Sequence, residues 1–220
     1  MPQLRIRYSF DEPNYIWFWA RWICFTAAAS CFVWGAISWV EQRWYQAEAR
    51  EAFERVKDAD VPKSELPSHK NVGAPLARLD IARLNVSGYV QDGFDARTLR
   101  RSIGHAPRSA MPGQRGNVIL AAHRDTFFAG LSGVRLGDIA NLQAPGGAIY
   151  RYKVSRVFVV DREESWVMRS KPDQNMLTLI TCYPFHFMGN APQRLVVLAE
   201  ELDPSDSSPR RSLRLTAHRM

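Results

Sequence analysis

Three residues of this 220-residue chain combine a nucleophile, a base and a fixed positive charge at the ends of strand-like runs. They are Cys182 in LTLITCYPF, His123 closing GNVILAAH, and Arg194 opening RLVVLAEEL. A thiol attacks amide carbonyls as its thiolate, which a nearby base or cation supplies at neutral pH. An imidazole, with an ordinary pKa of about 6.5, can protonate a departing amine and later deprotonate an incoming one. A guanidinium keeps its charge and cannot be the base; its rigid fork suits holding a peptide backbone or an oxyanion. If a barrel brought the three strand ends to one rim, acyl transfer through a thioester would be possible there.

Each residue also has a plainer use. A single cysteine on a strand can pack as a small hydrophobe. His123, followed by Arg124 and Asp125, can serve as a turn histidine, and Arg194 can be half of a surface ion pair. Of the other histidines, His105 and His186 fall in segments able to fold near the rim and are candidate substrate contacts, whereas His69 and His218 lie in polar, solvated stretches. No two His or Cys residues of the globular part have ligand-like spacing, so a zinc site is not expected, and nothing in the sequence calls for a cofactor, while activation by another metal stays open. Phosphate loops and dinucleotide fingerprints are absent from the sequence.

The elements that must position these groups are mostly strands. LARLDIARLNVSGYV, GNVILAAH, AIYRYKVSRVFVV, MLTLITCY and RLVVLAEEL are rich in β-branched and aromatic residues and are bounded by Gly, Pro, Asp and Asn. Only DARTLRRSI, with Asp95 placed to cap it, reads clearly as a helix. Strands without alternating helices predict an all-β barrel or sandwich over residues 76–202. With 46% apolar residues the chain has ample material for its core.

Outside that domain the sequence divides into four parts. Residues 1–21 form a short lead-in, expected to be cytoplasmic. From Trp22 to Val40 there is no charge, and such a run as a helix spans a bilayer's hydrocarbon core of about 30 Å. Trp17, Trp19 and Trp22 flank it on one side and Trp39, Trp44 and Tyr45 on the other, as interfacial aromatics do. The long lead-in, the bulky tryptophans and the lack of a small-x-small site after Val40 favour a retained anchor over a cleaved signal. Arginines on the two sides nearly balance and do not set its orientation. Cys24 and Cys31, seven residues apart on this helix, are too distant for a mutual disulfide and read as packing residues.

Residues 41–75 begin with a helical stripe of Tyr45, Ala49, Ala52, Phe53 and Val56, with Glu51 and Arg55 spaced for an exposed pair. They end in the proline-rich VPKSELPSHKNVGAP, an extended linker from which the globular domain should hang. Residues 203–220 are polar, basic and expected to be disordered. The net charge of +7 suits an anionic partner, yet the arginines are scattered and no basic helix with interleaved aromatics appears, so no nucleic acid is expected.

TLITCYPF followed by GNAPQRLVV closely resembles the signature around the catalytic cysteine and arginine of sortases, the membrane-anchored cysteine transpeptidases of bacterial surfaces. GHAPRSAMPGQRGNVILAAHRDTFFAGL, followed by Gly137 and Asp138, resembles that family's histidine region. The likeness runs from about Leu76 to Leu202 in the order His, Cys, Arg. It implies a closed eight-stranded sortase β-barrel with Cys182 as nucleophile, His123 as general acid and base, and Arg194 positioning substrate or supporting the oxyanion. Thr181 matches a threonine that lines the site and helps bind the tetrahedral intermediate. The TCYPF form looks most like class D.

By that likeness the substrates are secreted proteins with a C-terminal LPXTG-like sorting signal, cleaved after threonine. The acyl group passes to an amine of a cell-wall precursor or of another protein. The enzyme would sit in the cytoplasmic membrane by one helix, with its catalytic domain on the extracytoplasmic side. Two departures stand out: Ala122 precedes the histidine where the family often has glycine, and no inhibitory lid or second membrane helix is evident, which argues against the pilus-polymerising class. Two other readings remain open from the residues alone. One is a cysteine peptidase that hydrolyses rather than transfers, and the other a non-catalytic, membrane-tethered β-domain that binds peptide or wall polymer.

Overall fold

The computed structural model describes residues 15–58, 75–164 and 175–202. The linker with His69, the tail with His218 and most of the N-terminal lead-in lie outside the described residues. The chain forms two compact units that divide between Glu41 and Gln42.

In the first unit, helix α1 (Tyr15–Asp58) begins, and its large apolar side chains, Trp22, Phe25, Phe32 and Trp34 among them, stand exposed. It is the one described helix long and apolar enough to cross a membrane. Helix α1 continues into the second unit, where its Ala49 and Phe53 are buried against Tyr89 of the barrel, with Tyr45 alongside. Gln46 locks this contact by donating to the Arg101 carbonyl at 2.8 Å and accepting from the Tyr89 amide at 3.1 Å. The predicted stripe is therefore a docking face, and the barrel does not simply hang from its linker.

The barrel comprises β1 (Ala77–Ile81), β2 (Val86–Asp92), β3 (Ile103–His105), β4 (Asn117–Ala121), β5 (Ile139–Gln143), β6 (Ile149–Asp161), β7 (Met176–Tyr183) and β8 (Gln193–Glu201). Neighbours run β1-β2-β3-β4-β7-β8-β6-β5 and close on themselves, giving the expected eight-stranded barrel. Two pairs are parallel, β2 with β3 and β4 with β7. The first needs a crossover, supplied by α2 (Ala96–Arg101), whose N-cap is Asp95 as the sequence indicates. Its carboxylate accepts from the Arg97 amide at 2.9 Å and the Thr98 hydroxyl at 2.6 Å, and these bonds, the Thr98 hydroxyl foremost, hold its pKa below the usual range.

β7 and β8 show why their sequences are continuously apolar. Leu177 and Leu179, with Leu195, Val197 and Ala199, fill the barrel interior, while Met176, Val196 and Leu198 form a second buried cluster on the outer face. Strands covered on both faces lose the alternation of a half-exposed sheet. β3 and β5 were not evident from the sequence. The first is only three residues long, and IANLQ in the second contains Ala, Asn and Gln rather than strong strand formers.

The connection from β4 to β5 packs over β2 and the turn that precedes it. Phe128 is fully buried, and Gly130 comes so close to the 3-10 turn Ala82–Leu84 that a methyl there would meet the Leu84 carbonyl oxygen at 2.1 Å. Arg83 grips both carboxylate oxygens of buried Asp138 and donates to the Gly133 carbonyl at 2.7 Å. The Gly-Asp pair after the histidine region thus serves the fold.

Candidate active site

Parallel pairing of β4 with β7 sets Ala121 beside Ile180, so both strands deliver their next residues to the same rim. The contact continues past the strand end. The Ala122 amide donates to the Ile180 carbonyl at 3.3 Å, and the Thr181 hydroxyl donates back to the Ala122 carbonyl at 2.8 Å. His123 follows directly. On the other side of β7, Cys182 and Arg194 are direct cross-strand partners in the antiparallel β7–β8 pair. Three adjacent strands thereby supply imidazole, thiol and guanidinium in that spatial order. All three line one open cleft, together with Arg124, Asp125 and Arg162.

The cleft is held by bonds that leave the reactive groups in place. The His123 carbonyl accepts from the Phe128 amide at 3.1 Å, so the buried phenyl ring anchors the turn that carries the imidazole. Arg124 reaches across to the β7–β8 loop and donates to three of its carbonyls: Pro184 at 2.9 Å, Phe187 at 2.5 Å and Gly189 at 3.2 Å. Arg194 is fixed from the loop's other end, donating to Ala191 at 3.1 Å and Gln193 at 2.8 Å. A loop stitched by two guanidiniums, rather than by ladder bonds, joins the thiol to the arginine. Arg162, just beyond β6, extends the pairing through its amide to the Pro192 carbonyl at 3.1 Å.

Cys182 is a half-buried free thiol, accessible from the cleft. Ala122 is buried, and its methyl is accommodated without disturbing the bond from Thr181. Thr181 lies beneath the nucleophile rather than in the cleft lining, and its hydroxyl is engaged with Ala122.

The structure does not bring the other two histidines into this lining. His105 is 1% exposed; its Nδ1 faces the Asp92 carboxylate at 3.2 Å and its Nε2 meets the Ser109 hydroxyl at 2.8 Å and the Ala110 carbonyl at 3.0 Å. It ties the 105–110 segment to β2. His186 is exposed on the β7–β8 loop. Among the described residues no grouping of three or more His, Cys, Asp or Glu could hold a metal ion.

Sequence reading missed Arg124, Asp125 and Arg162. The first two were visible beside His123, but nothing local told that Arg124 bridges to a loop sixty residues later. Arg162 reaches the cleft only because β6 is long enough to set Val160 opposite Arg194.

The sortase-domain family model matches residues 79–202. Sortase D of Bacillus subtilis (strain 168) is 28% identical over 162 residues, which cover 70% of this chain and 81% of that protein. Among solved structures, a sortase D5 transpeptidase of Clostridium perfringens gives a TM-score of 0.61 at 23% identity, covering 74% of this chain and 99% of that one. Sortase C-1 of Actinomyces oris gives 0.55 at 24% identity, covering 71% and 97%. These structural likenesses support the fold.

Proposed function

The chain belongs to the sortase family of transpeptidases, and from that premise we propose that Cys182, His123 and Arg194 perform transpeptidation on an LPXTG-like sorting signal. The observation that carries this reading is the convergence of the three side chains, from three adjacent strands, on one cleft. The Cys182 thiolate attacks the threonine carbonyl of the signal; the C–S bond forms as negative charge moves to the carbonyl oxygen. Arg194, held by its own loop, faces that charge. His123 gives a proton to the departing amine nitrogen, the peptide bond breaks, and a thioester remains on Cys182. An amine from a cell-wall precursor or another protein then attacks the thioester, its C–N bond forms as the C–S bond breaks, His123 takes the nitrogen's proton, and Cys182 leaves as the thiolate that began the cycle. Thr181 supports this step from below by fixing the β4 exit against β7.

The substrates on this reading are secreted proteins with a C-terminal signal. The α1 segment of residues 22–40 is the single membrane anchor, with the barrel on the extracytoplasmic side where such proteins emerge. The test is mass spectrometry of products from the full-length chain in detergent, given a panel of LPXTG-like peptides with and without a small amine. Peptide cleaved after threonine and joined to the amine, in the native chain and not in Cys182→Ala, is the expected result. Hydrolysis alone, indifferent to amine, would make the protein a peptidase and contradict the transfer step.

A further inference from the structure

Among the described residues the cleft is lined by three arginines and one acidic residue. Arg124 and Arg194 give hydrogens to main-chain carbonyls, so their positions are fixed while their charges remain. Among the described residues Asp125 is the only acid in the lining and its side chain takes part in no hydrogen bond or ion pair, although Arg124, Arg162 and Arg194 share the cleft. It follows His123 by two residues on the same turn, and that turn is pinned at both ends, by the Phe128 amide on the His123 carbonyl and by the Arg124 fork on the facing loop. The structure therefore keeps an unpaired carboxylate in the same cleft as the base and the nucleophile.

Amine acceptors arrive protonated at neutral pH, since a lysine ammonium has a pKa near 10.4 and an α-ammonium near 8. Three guanidiniums disfavour such a cation, and a single carboxylate beside the base offsets them locally. We propose that Asp125 is the receiving site for the ammonium group of the second substrate, an inference that rests on the transpeptidase reading above. The bound ammonium loses one proton to solvent or to His123 and becomes nucleophilic. Its lone pair forms the C–N bond and the C–S bond breaks with its electrons on Sγ. The nitrogen's second proton passes through His123 to the thiolate. The atoms balance without any further reactant. Asp125 thus selects cationic amines for the second half-reaction and has no part in the first.

The two half-reactions can be separated by loading Cys182 in the full-length chain from a simple acyl thioester, which needs no sorting signal, and then following aminolysis of acyl-Cys182. Native chain, Asp125→Asn and Asp125→Glu would be compared with an alkyl diamine, which is cationic at pH 7.5, and with hydroxylamine, which is uncharged there. Asp125→Asn is expected to raise the diamine concentration for half-maximal rate roughly fivefold, the scale of a solvent-exposed charge pair. Hydroxylamine should react unchanged, and Asp125→Glu should restore most of the diamine response. Equal diamine response in Asp125→Asn would overturn the proposal. So would equal losses with both amines, or a slower loading step, either of which would make Asp125 a support for His123. Native chain that loads and transfers to diamine but cleaves no LPXTG-like peptide would leave the ammonium site standing and refute the signal assignment. A Cys182 that never acylates would refute both.

Discussion

The connection between β4 and β5 is anchored at each end by an arginine, and the two anchors differ in kind. At its far end Arg83 meets Asp138 directly, so two charges are neutralised in a bidentate pair whose carboxylate is buried and whose guanidinium is half-exposed. At its near end Arg124 ignores the adjacent Asp125 and spends its donors on three loop carbonyls. The first arrangement closes its electrostatics and can only hold structure. The second positions the facing loop while leaving a net field and, among the described residues, an unpaired carboxylate next to His123. The same residue types thus mark a fold site or a reaction site according to what the guanidinium binds.

The sharpest way to break this contrast is to remove each arginine. Arg124→Ala should lower turnover about a hundredfold, the order expected when reacting groups lose about 1 Å of alignment, with a small change in melting temperature. Assay at a temperature where the variant is fully folded checks that split. Arg83→Ala should do the reverse, lowering the melting temperature and sparing turnover. If both variants lost activity in proportion to lost stability, the two anchors would be equivalent and the distinction wrong.

Gly130→Ala probes the segment between the anchors. Backbone contact at 2.1 Å leaves no space for the methyl, so a loss of about 2 kcal/mol is expected in denaturant titrations, comparable to other overpacking substitutions. Phe53→Ala, which empties the contact of α1 with Tyr89, should cost a further-removed site about 2 kcal/mol as well, somewhat less than a full core deletion, and spare turnover once folded.

The smallest effect concerns pH. Hydrogen bonding from Arg83, ahead of the Arg135 amide, holds the Asp138 carboxyl below its usual range. A depressed carboxyl contributes stability that is fully present above its unfolded pKa of about 3.9 and is lost as pH falls through the lower folded value. Native chain and Asp138→Asn should therefore differ constantly above about pH 5 and converge in stronger acid. A gap that persisted unchanged to pH 2 would mean the ionised pair is not its source.

The legible parts of the sequence were those with local causes. Cys182, His123 and Arg194 each stood at a strand end inside a compact motif, and Asp95 announced its helix by its capping position. The unread parts depended on distant partners. Asp138 gains its meaning from Arg83, 55 residues away in the chain, and nothing in its Gly-Asp motif distinguishes an ion-pair anchor from a site residue. His105 stood in a segment near the rim and resembled a substrate contact, yet tertiary pairing of β3 with β2 and β4 turned its ring onto Asp92 and Ser109. The stripe on α1 was visible, but its partner Tyr89 belonged to a strand whose register only the closed barrel determines.

Cys182 as the acyl-carrying nucleophile is the claim on which the rest depends, and acid quenching during turnover tests it most directly. The full-length chain, mixed with an LPXTG-like peptide and quenched, should show an intact mass increased by the fragment ending in threonine, mapped by digestion to Cys182 and absent in Cys182→Ala. Cleavage without any adduct, or an adduct on another residue, would contradict the account.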